Sequence, residues 1–176
     1  HPGPVPLIPP DAAAALPVRF LDRFFDLHVM NAMQLAVNGA LTGDAERRAQ
    51  GQAAAQDKLD RAYAWLDAEL AGRTWAAGEA FTLADCAAAP ALFYADWVHP
   101  IAPGFGVLRA YRARLLARPS FARAVDAAHA AIASANAAMS SEWTETPWVW
   151  LASISREPKP VPFAGGASGM VIGIAV

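Results

Sequence analysis

A capped and almost charge-free helix, predicted to begin at Leu83, constrains the fold of this chain more than any other feature. Thr82 is a favourable N-cap residue, and its hydroxyl can accept a hydrogen bond from the backbone N–H of Asp85. The Asp85 carboxylate can in turn accept from the N–H of Thr82, which gives a capping box with Asp in place of the usual Glu. From Leu83 to about Trp97 the segment carries almost no charge before Asp96. A helix that is apolar all round belongs at the centre of a bundle.

Capping and periodicity predict four further helices around this one. Asp11 can cap the first helix, and Gly39 is a suitable residue to end it. The second helix begins in the Thr42-Gly43-Asp44 run and carries an apolar face at spacings of three and four residues. The predicted ranges are 12–38, 42–70, 83–97, 105–117 and 119–139. No alternating strand pattern precedes Trp148, so the sequence predicts an all-α bundle of about five to six helices.

Composition excludes several classes of function. The net charge is −2 and the basic residues are scattered, so the electrostatic footprint of a nucleic-acid-binding protein is missing. A single cysteine excludes an internal disulfide framework and favours a reducing cytoplasmic environment. No apolar run approaches the ~20 residues that a membrane-spanning helix needs. We therefore expect neither nucleic acid nor a membrane as a partner.

Two sequence runs resemble one known family. The run Trp75-Ala-Ala-Gly78, followed by Thr82-Leu-Ala-Asp85, resembles the opening of the buried central helix in the C-terminal domain of glutathione S-transferases. The run Arg118-Pro119-Ser120-Phe121 resembles the start of a later helix in that domain. The resemblance implies a Pro-rich interdomain linker over 1–10, a helical C-terminal domain over 11–139 and an unassigned tail over 140–176. A fragment that lacks the N-terminal half and a reading frame begun too late are both compatible with the Pro-rich opening.

The resemblance implies a function that this chain performs only with a partner domain. Catalytic family members conjugate glutathione thiolate to small hydrophobic electrophiles, which is a cytoplasmic detoxification reaction. Their activating Tyr, Ser or Cys lies in a thioredoxin-like domain, which also holds most of the glutathione as a cosubstrate. We therefore expect no catalytic residue and no tightly bound cofactor in this chain, and no activity from the chain alone. The alternative is a non-catalytic protein-interaction module, since the same helical domain is appended to translation factors and synthetases.

The resemblance also assigns a pocket wall for the electrophile to the first helix. The corresponding residues are Phe24, Leu27, His28, Met30, Asn31, Met33 and Gln34. His28, Asn31 and Gln34 recur at every third position as a polar stripe, and methionines suit a promiscuous pocket because they repack easily. Core packing of the apolar members and solvation of the polar ones is the competing interpretation.

Four charged residues of the same helix correspond to the dimer interface of the family. They are Arg19, Asp22, Arg23 and Asp26, and the resemblance implies a homodimer of the full-length protein. The competing interpretation is an exposed charged face with ion pairs between residues three and four positions apart.

The remaining reactive side chains predict no further chemistry. The four histidines are far apart and lack a carboxylate pair at ligand spacing, so we expect no metal site. Cys86 lies in the first turn of the central helix, where the helix dipole would lower the pKa of a thiol. Because Asp85 opposes that effect, we expect Cys86 to be an inert packing residue.

Overall fold

A computed structural model of the chain describes residues 6–127. Its elements are α1 (Ala12–Phe24), a π-helical segment (Phe25–Met30), α2 (Asn31–Leu41), α3 (Ala45–Glu69), α4 (Leu83–Val98) and α5 (Gly106–Leu116). Residues 119–127 are helical as well. Within the described range an isolated bridge between Trp75 and Gly78 is the nearest approach to a strand. The predicted all-α fold is therefore confirmed.

The chain separates into two compact units, residues 1–118 and 119–176. The helices α1 to α5 belong to the first unit, and the helical residues 119–127 belong to the second. The predicted domain limit at Met139 and the predicted tail 140–176 lie outside the described residues. None of the helices within 6–127 combines the length and the apolar character that crossing a bilayer requires.

The predicted first helix is one helical path that changes geometry in its middle. It begins as predicted, because Asp11 Oδ2 accepts from the N–H of Ala14 at 2.8 Å. Between Phe25 and Met30 the backbone adopts π-helical geometry, and the α-helix then resumes. No pattern of residues in this stretch predicts the change.

The prediction that Gly39 ends the first helix is wrong, since α2 continues to Leu41. Gly39 instead lies where α2 crosses α3. A Cβ added to Gly39 would lie 2.7 Å from the carbonyl oxygen of Arg47, and one added to Gly51 would lie 3.2 Å from the Gly39 Cα. The two glycines therefore permit a close crossing of two helices, and the left-handed backbone conformation occurs later, at Gly43 with φ of 70°.

Helix α4 is the centre of the first unit, as predicted. It contacts α1, the π segment, α2, α3 and α5. The predicted apolar face of α3 packs into the core of the unit. Its residues Leu59, Tyr63, Leu66 and Leu70 are all buried. Each such side chain contributes about 1.5–3 kcal/mol on leaving water.

The capping box at the start of α4 is confirmed, and its carboxylate accepts four hydrogen bonds. Asp85 Oδ2 accepts from the N–H of Thr82 at 2.8 Å and from the Thr82 hydroxyl at 3.1 Å. Asp85 Oδ1 accepts from the N–H of Ala76 and from the hydroxyl of Tyr111, each at 2.8 Å. One fully buried carboxylate thus joins the turn before α4, α4 itself and α5.

Candidate functional site

The predicted electrophile wall lies on and around the π segment. Phe24 is the last residue of α1, Leu27, His28 and Met30 belong to the π segment, and the other three residues begin α2. A π-helical turn inserted in an α-helix is rare and occurs often at functional sites, because it redirects the side chains of one turn. The π segment lies within the stretch that the family resemblance assigns to the wall, and the role of that stretch stays a prediction.

Most of the predicted wall reaches the surface. Leu27, His28, Asn31 and Gln34 are exposed, whereas Phe24 and Met30 are half-buried. Met33 is 5% exposed and belongs to the core. Its place in the core agrees with the competing interpretation for that residue, while the other six are exposed or half-buried.

An aromatic residue of α3 supports this wall. The ring of Trp65 stacks on Phe24 with a centroid distance of 4.2 Å, and the ring of His28 lies 4.8 Å from Phe24 on the same helical path. Phe20 meets Trp65 edge-on at 5.9 Å. Aromatic pairs of this kind add about 0.5–1.5 kcal/mol beyond their buried area. Sequence reasoning missed Trp65, because no local pattern sets the register between α1 and α3.

The four residues of the predicted dimer interface lie together on α1 and on the first turn of the π segment. Arg23 Nη2 lies 3.0 Å from Asp22 and 2.8 Å from Asp26, and Arg23 is largely exposed. Arg19 is exposed as well. The pair of Arg23 with Asp26, three positions apart, is of the kind that the competing interpretation expects, and an interface role for the four residues stays a prediction.

Comparison with known proteins assigns the family. The family model for the glutathione S-transferase C-terminal domain matches residues 24–119, which include the wall, α3, α4 and α5. The chain belongs to this family. No curated protein matches the chain.

A solved structure supports the same assignment. The chain is similar to a glutathione S-transferase domain-containing protein of Marinobacter aquaeolei VT8, at 26% identity and a TM-score of 0.54. The similarity covers 69% of this chain and 62% of that protein, so the chain spans less than two thirds of its relative.

A second polar cluster in this glutathione S-transferase domain fastens the loop after α4 to α3. His99 Nε2 lies 2.7 Å from Asp60 Oδ1, and the Tyr63 hydroxyl donates to the carbonyl of His99 at 3.0 Å. Burial, and then the negative charge of Asp96, raise the pKa of Tyr63. Sequence reasoning missed the pair of His99 and Asp60, since 39 residues separate them.

Cys86 is not equipped as a nucleophile. Its side chain is half-buried, and burial together with the adjacent Asp85 carboxylate raises the pKa of its thiol. The nearby Arg118 opposes this shift but does not outweigh it. Among the described residues, no group of three or more potential ligands could hold a metal ion.

Proposed function

We propose that this chain forms the electrophile-binding wall of a glutathione S-transferase. A thioredoxin-like domain acting with it would bind glutathione as a cosubstrate and stabilise its thiolate. The observation that carries this proposal is the π segment, which lies within the family match and presents adjacent apolar and polar side chains at the surface. The full protein would then conjugate glutathione to small hydrophobic electrophiles in the cytoplasm.

The side chains of the wall suit a flat, weakly polar substrate. Phe24 is backed by Trp65, so its ring is held in place before a ligand arrives, which reduces the entropy cost of binding. Met30 is half-buried and offers an adaptable apolar contact. His28 and Asn31 add exposed hydrogen-bonding groups that can receive a nitro or carbonyl oxygen.

The chemistry needs a group that this wall does not supply. In the conjugation, the sulfur of glutathione forms a bond to an electrophilic carbon while the leaving group departs with the bonding electrons. The thiol must lose its proton first, and the family resemblance implies that the residue that promotes this step lies in the thioredoxin-like domain. We therefore place thiol activation on the thioredoxin-like partner.

A chimaera tests the proposal. We expect the chain alone to react glutathione with 1-chloro-2,4-dinitrobenzene at the uncatalysed rate, and a fusion to a thioredoxin-like domain with an intact glutathione site to show turnover. In the fusion, Phe24→Ala and Met30→Ala should raise the KM for the electrophile about tenfold, the factor that corresponds to about 1.4 kcal/mol. The KM for glutathione should stay unchanged. Leu41→Ala is the matched control, because Leu41 is exposed at the end of α2, outside the wall.

The same measurements separate the two readings of the domain. Catalysis by the chain alone would contradict the proposal, as would wall variants with the electrophile KM of the unmodified fusion. A fusion that binds glutathione but neither binds nor converts electrophiles would favour the alternative, a non-catalytic interaction module.

A further inference from the structure

A backbone hydrogen bond joins the predicted interdomain linker, residues 1–10, to the central helix of the domain. The N–H of Leu83, the first residue of α4, donates to the carbonyl of Leu7 at 2.9 Å. The first N–H groups of a helix have no acceptor within the helix, and water or a capping side chain usually accepts from them. Here the acceptor is a carbonyl from the segment that precedes α1.

The segment between Leu7 and α1 is fixed at both of its ends. Leu7 is held by α4, and four residues later Asp11 caps α1 with its side chain. Of the three residues between them, Ile8 is half-buried. Pro9 and Pro10 each have a φ angle fixed at about −65°, so this stretch has few alternative conformations. The position of Leu7 is therefore determined by the starts of two helices.

Helix α4 connects this attachment point to the predicted electrophile wall. Thr82, directly before Leu83, donates its N–H to the fully buried Asp85 carboxylate, which also accepts from the Tyr111 hydroxyl of α5. Helix α4 packs against the π segment, on which part of the wall lies. Buried contacts therefore set the position of the wall relative to the linker.

We propose that the hydrogen bond between Leu83 and Leu7 sets the distance from the electrophile wall to a thioredoxin-like domain attached through the linker. The inference rests on the proposed function and adds what keeps the two substrates in place. A misplacement of about 1 Å between reacting groups can lower the rate about 100-fold. Leu83 is then a positioning residue, which contacts neither reactant and acts through the Leu7 carbonyl.

Leu83→Pro removes the donor without breaking the helix. Proline is favoured at the first position of a helix, because its φ angle fits there and no helical hydrogen bond needs its N–H. The residue before a proline must be extended, and Thr82 is extended, with φ of −132° and ψ of −177°. The proline Cδ takes the place of the amide hydrogen, so the Leu7 carbonyl must move away. Leu83→Ala is the matched control, since it removes the same half-buried side chain and keeps the N–H.

Turnover of 1-chloro-2,4-dinitrobenzene is the first test, in a fusion with the thioredoxin-like domain joined ahead of residue 1. Relative to Leu83→Ala, Leu83→Pro should lower kcat about tenfold or more and change the KM for either substrate less than about twofold. Both binding surfaces stay intact, and only their separation changes. A kcat equal to that of Leu83→Ala would overturn the inference, as would a loss confined to either KM.

Amide hydrogen exchange of the unmodified chain is a second test, which needs neither a variant nor the fusion. The Leu83 amide should be protected about 100-fold more than the amide of Ala12, which holds the same first position at the exposed start of α1. Equal protection would overturn the inference, whether or not Leu83→Pro folds. A fusion without any turnover would refute the proposed function, whereas an active fusion that Leu83→Pro leaves unchanged would refute this inference alone.

Discussion

The N-terminus of α4 and the outer face of α1 use their side chains in opposite ways. At the start of α4, Asp85 is 0% exposed and each of its two carboxylate oxygens accepts two hydrogen bonds. On the outer face of α1, Leu16 and Phe20 are mostly exposed. The first region belongs to the core, whereas the second lies at the surface of its own chain.

The difference in burial predicts which of the two regions tolerates substitutions. A buried donor that loses its acceptor lowers the free energy of unfolding by about 1–3 kcal/mol, so substitutions at the α4 N-terminus should destabilise the fold strongly. An exposed apolar side chain contributes little to the stability of its own chain, so substitutions on the outer face of α1 should be tolerated better. The π segment combines both cases within six residues, since Phe25 and Val29 are buried while Leu27 and His28 are exposed.

The largest effect is expected when the Asp85 carboxylate is removed from the buried region. Asp85→Ala leaves the N–H groups of Ala76 and Thr82 and the hydroxyl of Tyr111 without their acceptor, so we expect a loss of about 3 kcal/mol or more in the free energy of unfolding. Urea denaturation followed by circular dichroism measures it. The matched control is Asp57→Ala, which removes an exposed ion pair worth about 0–1 kcal/mol. Equal urea midpoints for the two variants would show that α4 is not the centre of the unit.

The sequence predicted those parts of the fold whose causes are local. The capping box was visible because Thr82 and Asp85 are three residues apart, and the buried stripe of α3 was visible from its spacing. The hydrogen bond from the Tyr111 hydroxyl to Asp85 could not be predicted in this way. The two residues are 26 positions apart and meet only when α5 packs against α4. Gly39 was misread for the same reason, since its neighbour Gly51 lies on another helix.

The candidate site was predictable only as a stretch of chain. The family resemblance placed the wall on residues 24–34, but propensity alone cannot distinguish a π turn from an α turn in Phe25–Met30. The stacking of Trp65 on Phe24 and the pairing of His99 with Asp60 both depend on the packing of distant helices. The stacking of Trp65 covers one face of Phe24, which is therefore half-buried.

The pH dependence of the free energy of unfolding tests the buried region through its tyrosines. Burial, and then the negative charge of Asp85, raise the pKa of Tyr111, and burial raises that of Tyr63. A folded-state pKa above the unfolded value of ~10 means that the unfolded chain releases protons first as the pH rises. The stabilisation is therefore complete below about pH 10 and decreases above it, by up to about 1.4 kcal/mol per pH unit for each tyrosine.

Urea titrations at pH 8, 10 and 11 check this expectation. Tyr111→Phe should be less stable than the unmodified chain at pH 8, by about 1–2 kcal/mol, and should lose less stability between pH 10 and 11. Tyr94→Phe is the control, because Tyr94 is 39% exposed and its change should leave the alkaline slope as it is. An alkaline slope that Tyr111→Phe does not reduce would refute the assignment.

The smallest effect is expected on the outer face of α1. Phe20→Ala removes an edge contact with Trp65 from a side chain that is 55% exposed, so we expect a loss of about 0.5–1 kcal/mol in the monomer. Phe25→Ala, five residues along the same helical path, removes a ring that is 0% exposed and should cost about 3–5 kcal/mol. Both are measured by urea denaturation at low micromolar concentration, where association contributes least. If the two substitutions cost the same, the face of α1 is part of the core of its own chain, and the distinction between the two regions fails.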